Sequence, residues 1–239
     1  MKRKSLMPVL AVVGGAVVIL VALVVASNLG GKKSTVDTSS LRMVSSLNEM
    51  LSGIPQRGTA LGNPKAKLTL VEFADLQCTG CAYFSSNVLP ELIQNYVRTG
   101  KLRIVFEGQT IVDHAHQDSN RLLRMALAAG EQNKFWSFAE IVYANQGGED
   151  SGYATDPYLK AIGNSIPGLD TAKTLSVSQT SAFAGTIKKS RARWDALGFR
   201  GTPAFLLGHT GAKPTEKISR DNVPSYADFV ALMAPLLRS

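Results

Sequence analysis

The chain has 239 residues, 45% of them hydrophobic and 18% charged, with a formal net charge of +8. Five of the basic residues (Lys2, Arg3, Lys4, Lys32 and Lys33) precede Ser34, and beyond that point 21 basic residues face 18 acidic ones. With no basic stripe interleaved with aromatic residues, the remainder reads as a mildly basic solvated surface and not as a nucleic-acid-binding face.

The N-terminal segment is the first predicted element. After Met1-Lys2-Arg3-Lys4, the stretch Val9–Ala26 contains only Val, Leu, Ile, Ala and Gly. As a helix it would span about 27 Å, close to the hydrocarbon thickness of a bilayer. The preceding basic residues place residues 1–5 in the cytoplasm, residues 6–29 as a single-pass signal-anchor, and everything beyond outside it, in a periplasm or at the cell surface. A cleaved signal peptide ending at Val24-Val25-Ala26 is the alternative, although the apolar run exceeds the ~7–15 residues of a usual signal core. No cysteine follows the run to carry a lipid. Residues 30–53 read as a linker and a short helix, the latter from the spacing of Leu41, Val44, Leu47 and Leu51.

Residues 54–239 form the expected folded domain. Leu68–Ala74 predicts a strand buried on both faces, as in the centre of a parallel sheet. Glu72 shares a face of that strand with Leu68, Leu70 and Ala74, where a carboxylate would be desolvated and its pKa raised. A helix is predicted over 81–98 with a break near Leu89, because Pro90 lies inside it. The next strand is 101–106, and the resulting strand–helix–strand unit with a right-handed crossover makes the pair parallel. From about 114 to 197 the pattern is helical, with Phe135, Phe138 and Val142 on one face. There Asp156 and Asp170 read as N-caps, and the last helix runs from about Ser178 to Leu197. Phe135, Trp136, Phe138 and Tyr143 read as core of this insert. Ala204–Leu207 is a strand, Glu216–Ser219 a short antiparallel edge strand, and Tyr226–Leu237 a closing amphipathic helix.

Cys78 and Cys81 are the only cysteines. They stand between the first strand and its helix, as Cys78-Thr79-Gly80-Cys81. The first sulfur then lies at a helix N-terminus, where unpaired N–H groups and the macrodipole favour a thiolate. The second lies close enough to close a disulfide. So small a ring constrains little chain entropy, so a purely structural bridge is a weak reading. Zinc would need about four ligands, and the nearest candidates, His114 and His116, read as surface histidines before the insert. No metal site is expected.

Val71-Glu72-Phe73-Ala74-Asp75-Leu76-Gln77-Cys78-Thr79-Gly80-Cys81, with Gly201-Thr202-Pro203-Ala204-Phe205 far downstream, resembles the DsbA-like thiol:disulfide oxidoreductases over roughly residues 54–237. The resemblance implies an α/β thioredoxin fold with a helical domain inserted after the β-α-β unit. It implies an exposed nucleophile at Cys78 and a buried partner at Cys81. Thr202-Pro203 would be a cis-proline loop facing the disulfide, and Glu72 a buried acid that shuttles the proton of the second cysteine. Thr202, Pro203, Thr79 and Gly80 are the expected substrate contacts. Several family members carry a histidine or an aromatic residue between the cysteines, whereas Thr79 and Gly80 are uncharged here. Thiolate stabilisation is therefore expected mainly from the helix terminus and nearby N–H groups. The implied activity is oxidation of cysteines in exported proteins, with no bound cofactor, because the disulfide itself carries the electrons. Reoxidation would come from a quinone-linked membrane partner. The same site run in reverse would be a reductase or isomerase. A membrane-tethered binding module or chaperone with a passive disulfide is the reading of a different class.

Overall fold

The computed structural model describes residues 38–218 and 222–239. The signal-anchor expected at 6–29 lies outside the described residues. Among the described residues no helix is long and apolar enough to cross a membrane.

The described residues form one mixed sheet in the order β1-β2-β4-β3-β5-β6. Its strands are β1 (Gln56–Arg57), β2 (Ala60–Leu61), β3 (Leu68–Ala74), β4 (Leu102–Gly108), β5 (Ala204–His209) and β6 (Glu216–Ile218). β3 runs parallel to β4 and antiparallel to β5, and β6 is antiparallel to β5. The continuous apolar run of β3 is explained by its central place, with six of its seven residues buried. β4, covered on its outer side only by the two-residue strand β2, alternates buried and partly exposed residues. This is the thioredoxin arrangement with helices inserted between β4 and β5. The β1–β2 hairpin is an addition that sequence reading did not anticipate. Two-residue strands carry no usable periodicity, and β2 is held by antiparallel pairing to β4.

The helices are α1 (Val44–Leu51), α2 (Thr79–Asn87), α3 (Leu89–Leu92), α4 (Asp118–Gly130), α5 (Phe135–Ala144), α6 (Asp156–Asn164), α7 (Thr171–Ser178), α8 (Ala184–Ala196) and α9 (Tyr226–Arg238). The helix predicted over 81–98 is in fact three pieces, α2, α3 and a π-helical segment Ile93–Val97. Pro90 accounts for the break: lacking an N–H, it sits at the start of α3, where that donor would be unpaired anyway. The last insert helix begins at Ala184, not near Ser178, because α7 ends there and residues 179–183 form a turn. The N-cap of α6 is Thr155, whose hydroxyl accepts from Tyr158 N, so Asp156 is the first helical residue. Asp170 caps α7 through Lys173 N.

Two apolar layers flank the sheet. On one side Phe84 of α2, Phe205 of β5 and Phe229 of α9 meet with ring centroids 4.8–5.7 Å apart. Contacts of this kind add about 0.5–1.5 kcal/mol each beyond burial, and they seat the helix that carries the cysteines. On the other side Val71, Phe73, Trp194, Phe199 and Leu206 form a smaller cluster. The insert docks where Phe106 of β4 packs on Phe135 and Trp136 of α5, with the Trp136 indole donating to Thr59 O at 3.0 Å. α5 is buried from Phe135 to Tyr143, so the expected one-sided helix is an enclosed one. Its hidden faces pack on α1, α2, α4 and α6.

Candidate active site

β3 ends at Ala74, and the chain turns through Asp75-Leu76-Gln77 into α2. Cys78 is the N-cap of α2, with extended backbone angles, and its own N–H donates to Asp75 O at 3.0 Å. An N-cap side chain ordinarily accepts the N–H groups of the second and third helical residues. The Cys78 sulfur stands at that position without a cap hydrogen bond, and the N–H groups of Gly80 and Cys81 favour its anion. Cys81, at the third helical position, is fully buried, whereas Cys78 is half-buried; both are free thiols.

The two sulfurs differ sharply in acidity. Cys78 is lowered from 9.0 to about 6, first by the hydrogen bond from the Cys81 thiol, against the cost of burial. Thr202 and the Cys81 and Gly80 N–H groups then add to it. The helix terminus therefore contributes, but the partner thiol contributes most, which the expectation from sequence did not include. Burial pushes Cys81 well above its ordinary value, and the neighbouring Cys78 and Glu72 push it further.

Thr202 and Pro203 face this pair from the loop before β5. The Thr202–Pro203 peptide is cis, and the Cys78 thiol donates to Thr202 O at 3.3 Å. The Thr202 hydroxyl is buried without a partner when Cys78 is a thiol, so it is available to donate to the thiolate. Gly80 lies under the loop: a Cβ there would come 3.3 Å from Pro203 Cδ and 3.5 Å from Thr202 O. Any larger side chain at position 80 must push the loop away. Thr79 is exposed on the outer side of the helix.

Glu72 projects from β3 beneath α2 and is 2% exposed. Burial holds its carboxyl well above the usual range, with Glu140 and Cys78 raising it further. Thus Cys78, Cys81, Glu72, Gly80, Thr202 and Pro203 come together around the C-terminal end of β3. His114 and His116 lie exposed in the loop leading to α4, where the Ala115 and His116 N–H groups donate to Asp150. Among the described residues no group of three His, Cys, Asp or Glu is placed to hold a metal ion.

Several residues of the site come from the insert: Tyr143, which reads as core from the sequence, and Gln146 and Glu149, which the sequence did not single out. Gln146 Nε2 donates to Leu76 O at 2.8 Å, fixing the turn before Cys78. Tyr143 donates to Asp75 O at 3.4 Å. Glu149 Oε1 accepts the Thr79 N–H at 3.2 Å, placing a carboxylate at the positive end of α2 next to the reactive sulfur. Two negative charges at one helix terminus compete for it. Glu149→Gln is expected to lower the Cys78 pKa further and to make the disulfide more oxidising. The thiolate absorbance of the reduced protein followed against pH would show this, and an unchanged or raised midpoint would contradict it.

A half-buried thiol at a helix N-terminus, a buried thiol one turn on, and a cis-proline loop across from them on a thioredoxin sheet define a thiol:disulfide oxidoreductase. A family profile described as thioredoxin matches residues 56–223. Disulfide bond formation protein D of Bacillus subtilis is 23% identical over 165 residues, spanning 67% of this chain and 72% of that protein. Solved structures show the same fold. That of BdbD from Bacillus subtilis in its oxidised form superposes with a TM-score of 0.65 at 19% identity, covering 79% of this chain and 98% of that one. That of DsbA from Chlamydia trachomatis has a TM-score of 0.64 at 17% identity, covering 75% and 91%. The chain belongs to the thioredoxin family and is a DsbA-like thiol:disulfide oxidoreductase.

Proposed function

We propose that the protein is an extracytoplasmic dithiol oxidase, anchored by residues 6–29, that forms disulfides in exported cysteine-containing proteins. A substrate thiolate attacks Cys78 Sγ of the Cys78–Cys81 disulfide. Cys81 leaves, and its sulfur takes a proton from Glu72. A second substrate thiolate attacks the substrate sulfur of the mixed disulfide, and Cys78 departs as a thiolate. The substrate has lost two electrons and the enzyme has gained them; a membrane redox partner takes them back. Thr202 and Pro203 lead into β5 beside Cys78, and an unfolded substrate segment pairs there as a strand.

The observation that carries this direction is the stabilised Cys78 anion, lowered to about 6. A low leaving-group pKa speeds the release step, and a stabilised reduced form makes the disulfide a stronger oxidant. The relative's name, disulfide bond formation protein D, points the same way. The orientation rests on the basic residues before the apolar run. The test is to mix the oxidised full-length chain, without oxygen, with a reduced unfolded protein holding two cysteines. The expected result is one substrate disulfide formed per chain reduced. If the chain stays oxidised and the substrate stays reduced, the oxidase direction is wrong.

A further inference from the structure

Glu149 lies exposed in the loop after α5, yet its side chain is held in one place. Its Oε1 accepts the Thr79 N–H at 3.2 Å. That nitrogen is two bonds from Cys78 Cα, so the carboxylate oxygen stands within about 6 Å of the Cys78 backbone. The loop is fastened to the turn before α2 on both sides of Glu149. Ahead of it, Gln146 Nε2 donates to Leu76 O at 2.8 Å and to Cys78 O at 3.4 Å. Behind it, the Asp150 N–H donates to Gln77 Oε1 at 2.8 Å. Gln77 is 1% exposed, and its Nε2 donates to Ser119 Oγ at 2.8 Å and to Asp113 Oδ1 at 3.2 Å. A buried amide engaged through both its nitrogen and its oxygen leaves the loop little freedom.

The charge on Glu149 is left for the substrate to meet. The neighbouring Asp150 carboxylate is taken up by the Ala115 and His116 N–H groups. Glu149 forms no ion pair among the described residues. Thr79, Gly80, Thr202 and Pro203 around the reactive sulfur are uncharged. The carboxylate therefore sets the sign of the charge at the point of attack.

We propose that Glu149 is a specificity-determining residue, selecting substrate segments that carry a lysine or arginine next to the reacting cysteine. The species that attacks Cys78 is a thiolate, and a carboxylate beside the point of attack repels it. A cation beside the substrate cysteine answers that charge. It also lowers the pKa of its own thiol, so more thiolate is present. A glutamate or aspartate in the same place sets a second negative charge against Glu149. Specificity arises from such repulsion as much as from attraction. The substrate thiolate still displaces Cys81 from Cys78, and the two electrons still pass to the cysteine pair. The proposal rests on the oxidase reading only for its direction, since a thiolate and a disulfide meet at Cys78 either way.

The experiment uses three reduced peptides with the same two cysteines, each cysteine flanked by lysine, glutamine or glutamate. Each peptide is mixed without oxygen, at low salt, with the oxidised full-length chain, native or Glu149→Gln. Glutamine can still accept the Thr79 N–H but carries no charge. The lysine-to-glutamate rate ratio is expected to be about tenfold larger for the native chain than for Glu149→Gln. Comparing ratios removes the intrinsic reactivity of each peptide and any change that the substitution makes at Cys78 itself. The excess should appear in kcat/KM and fade at about 1 M salt, where the screening length falls to about 3 Å. Equal ratios in the two proteins overturn the proposal. A native preference for the glutamate peptide also overturns it, and would assign the selection to Arg200, two residues before Thr202. If neither protein oxidises any peptide, the oxidase reading falls. The same ratios are then measured with the reduced chain and the oxidised peptides, and they decide the Glu149 proposal separately.

Discussion

Replacing Cys81 with alanine should abolish turnover and, when the Cys78 thiolate attacks a disulfide of an oxidised substrate and displaces one of its sulfurs as a thiolate, trap the protein at the mixed disulfide through Cys78. Cys78 is the half-buried sulfur, and Cys81 is fully enclosed, so an incoming substrate meets Cys78 first. In the native protein Cys81 resolves that adduct or leaves from it; alanine can do neither. Non-reducing electrophoresis should show high-mass adducts that disappear on reduction. The same change carries a second, signed consequence. The Cys81 thiol is the foremost cause of the low Cys78 pKa. Without it, the pH midpoint for alkylation of Cys78 should rise from about 6 towards the ordinary 9.0. How far it rises is set by the balance between burial, which raises it, and Thr202 and the Gly80 and residue-81 N–H groups, which lower it. Cys78→Ser is expected to leave Cys81 unlabelled in the folded protein, because burial keeps that thiol protonated. Persistent turnover in Cys81→Ala, or an unshifted midpoint, would overturn this assignment of roles.

Glu72→Gln is expected to slow the reaction and stabilise the fold at the same time. A positioned acid or base contributes about 10²–10⁴-fold to rate, so a loss of ~10²-fold in reduction of the disulfide near pH 7 is the expected scale. The stability effect follows from linkage. The Glu72 pKa lies well above its ordinary 4.5 in the folded state, so the native carboxyl keeps a proton that the unfolded chain releases. Its effect on folding is most favourable below about 4.5, and stability is lost as the pH rises from there towards the folded pKa. Glutamine removes that loss. Thermal unfolding of Glu72→Gln should therefore exceed the native value at pH 7 to 8, and the difference should vanish near pH 4. A variant that is both slower and less stable at pH 8 would point to a structural role for the carboxylate.

Much of this architecture is legible in the chain because the hydrophobic pattern and the local breakers agree. The strand Leu68–Ala74 is apolar on both faces because both faces are covered. Pro90 marks a break that the structure places at Val88. The C-x-x-C stands between that strand and its helix in both readings, and Pro203 opens β5. What stayed hidden has physical reasons. The β1–β2 hairpin is too short to leave a pattern and exists through pairing with β4. The turn at residues 179–183 interrupts a stretch that is otherwise suited to helix. Glu140 belongs to a helix enclosed on all sides, where one face was expected, so a lone carboxylate among Phe135–Ala144 was the available signal. Glu149 and Gln146 reach the cysteines from some 70 positions away, a proximity created by the docking of the insert and invisible to local reasoning.

Oxidase activity requires the folded protein to stabilise reduced Cys78 strongly enough to make its disulfide an oxidant. The reduction potential of the full-length chain, equilibrated against glutathione buffers, tests that claim most directly. A potential clearly less negative than that of thioredoxin, between about −230 and −180 mV, is the predicted result for a thiol lowered to about 6. A potential near about −270 mV, that of a reducing thioredoxin, would contradict it.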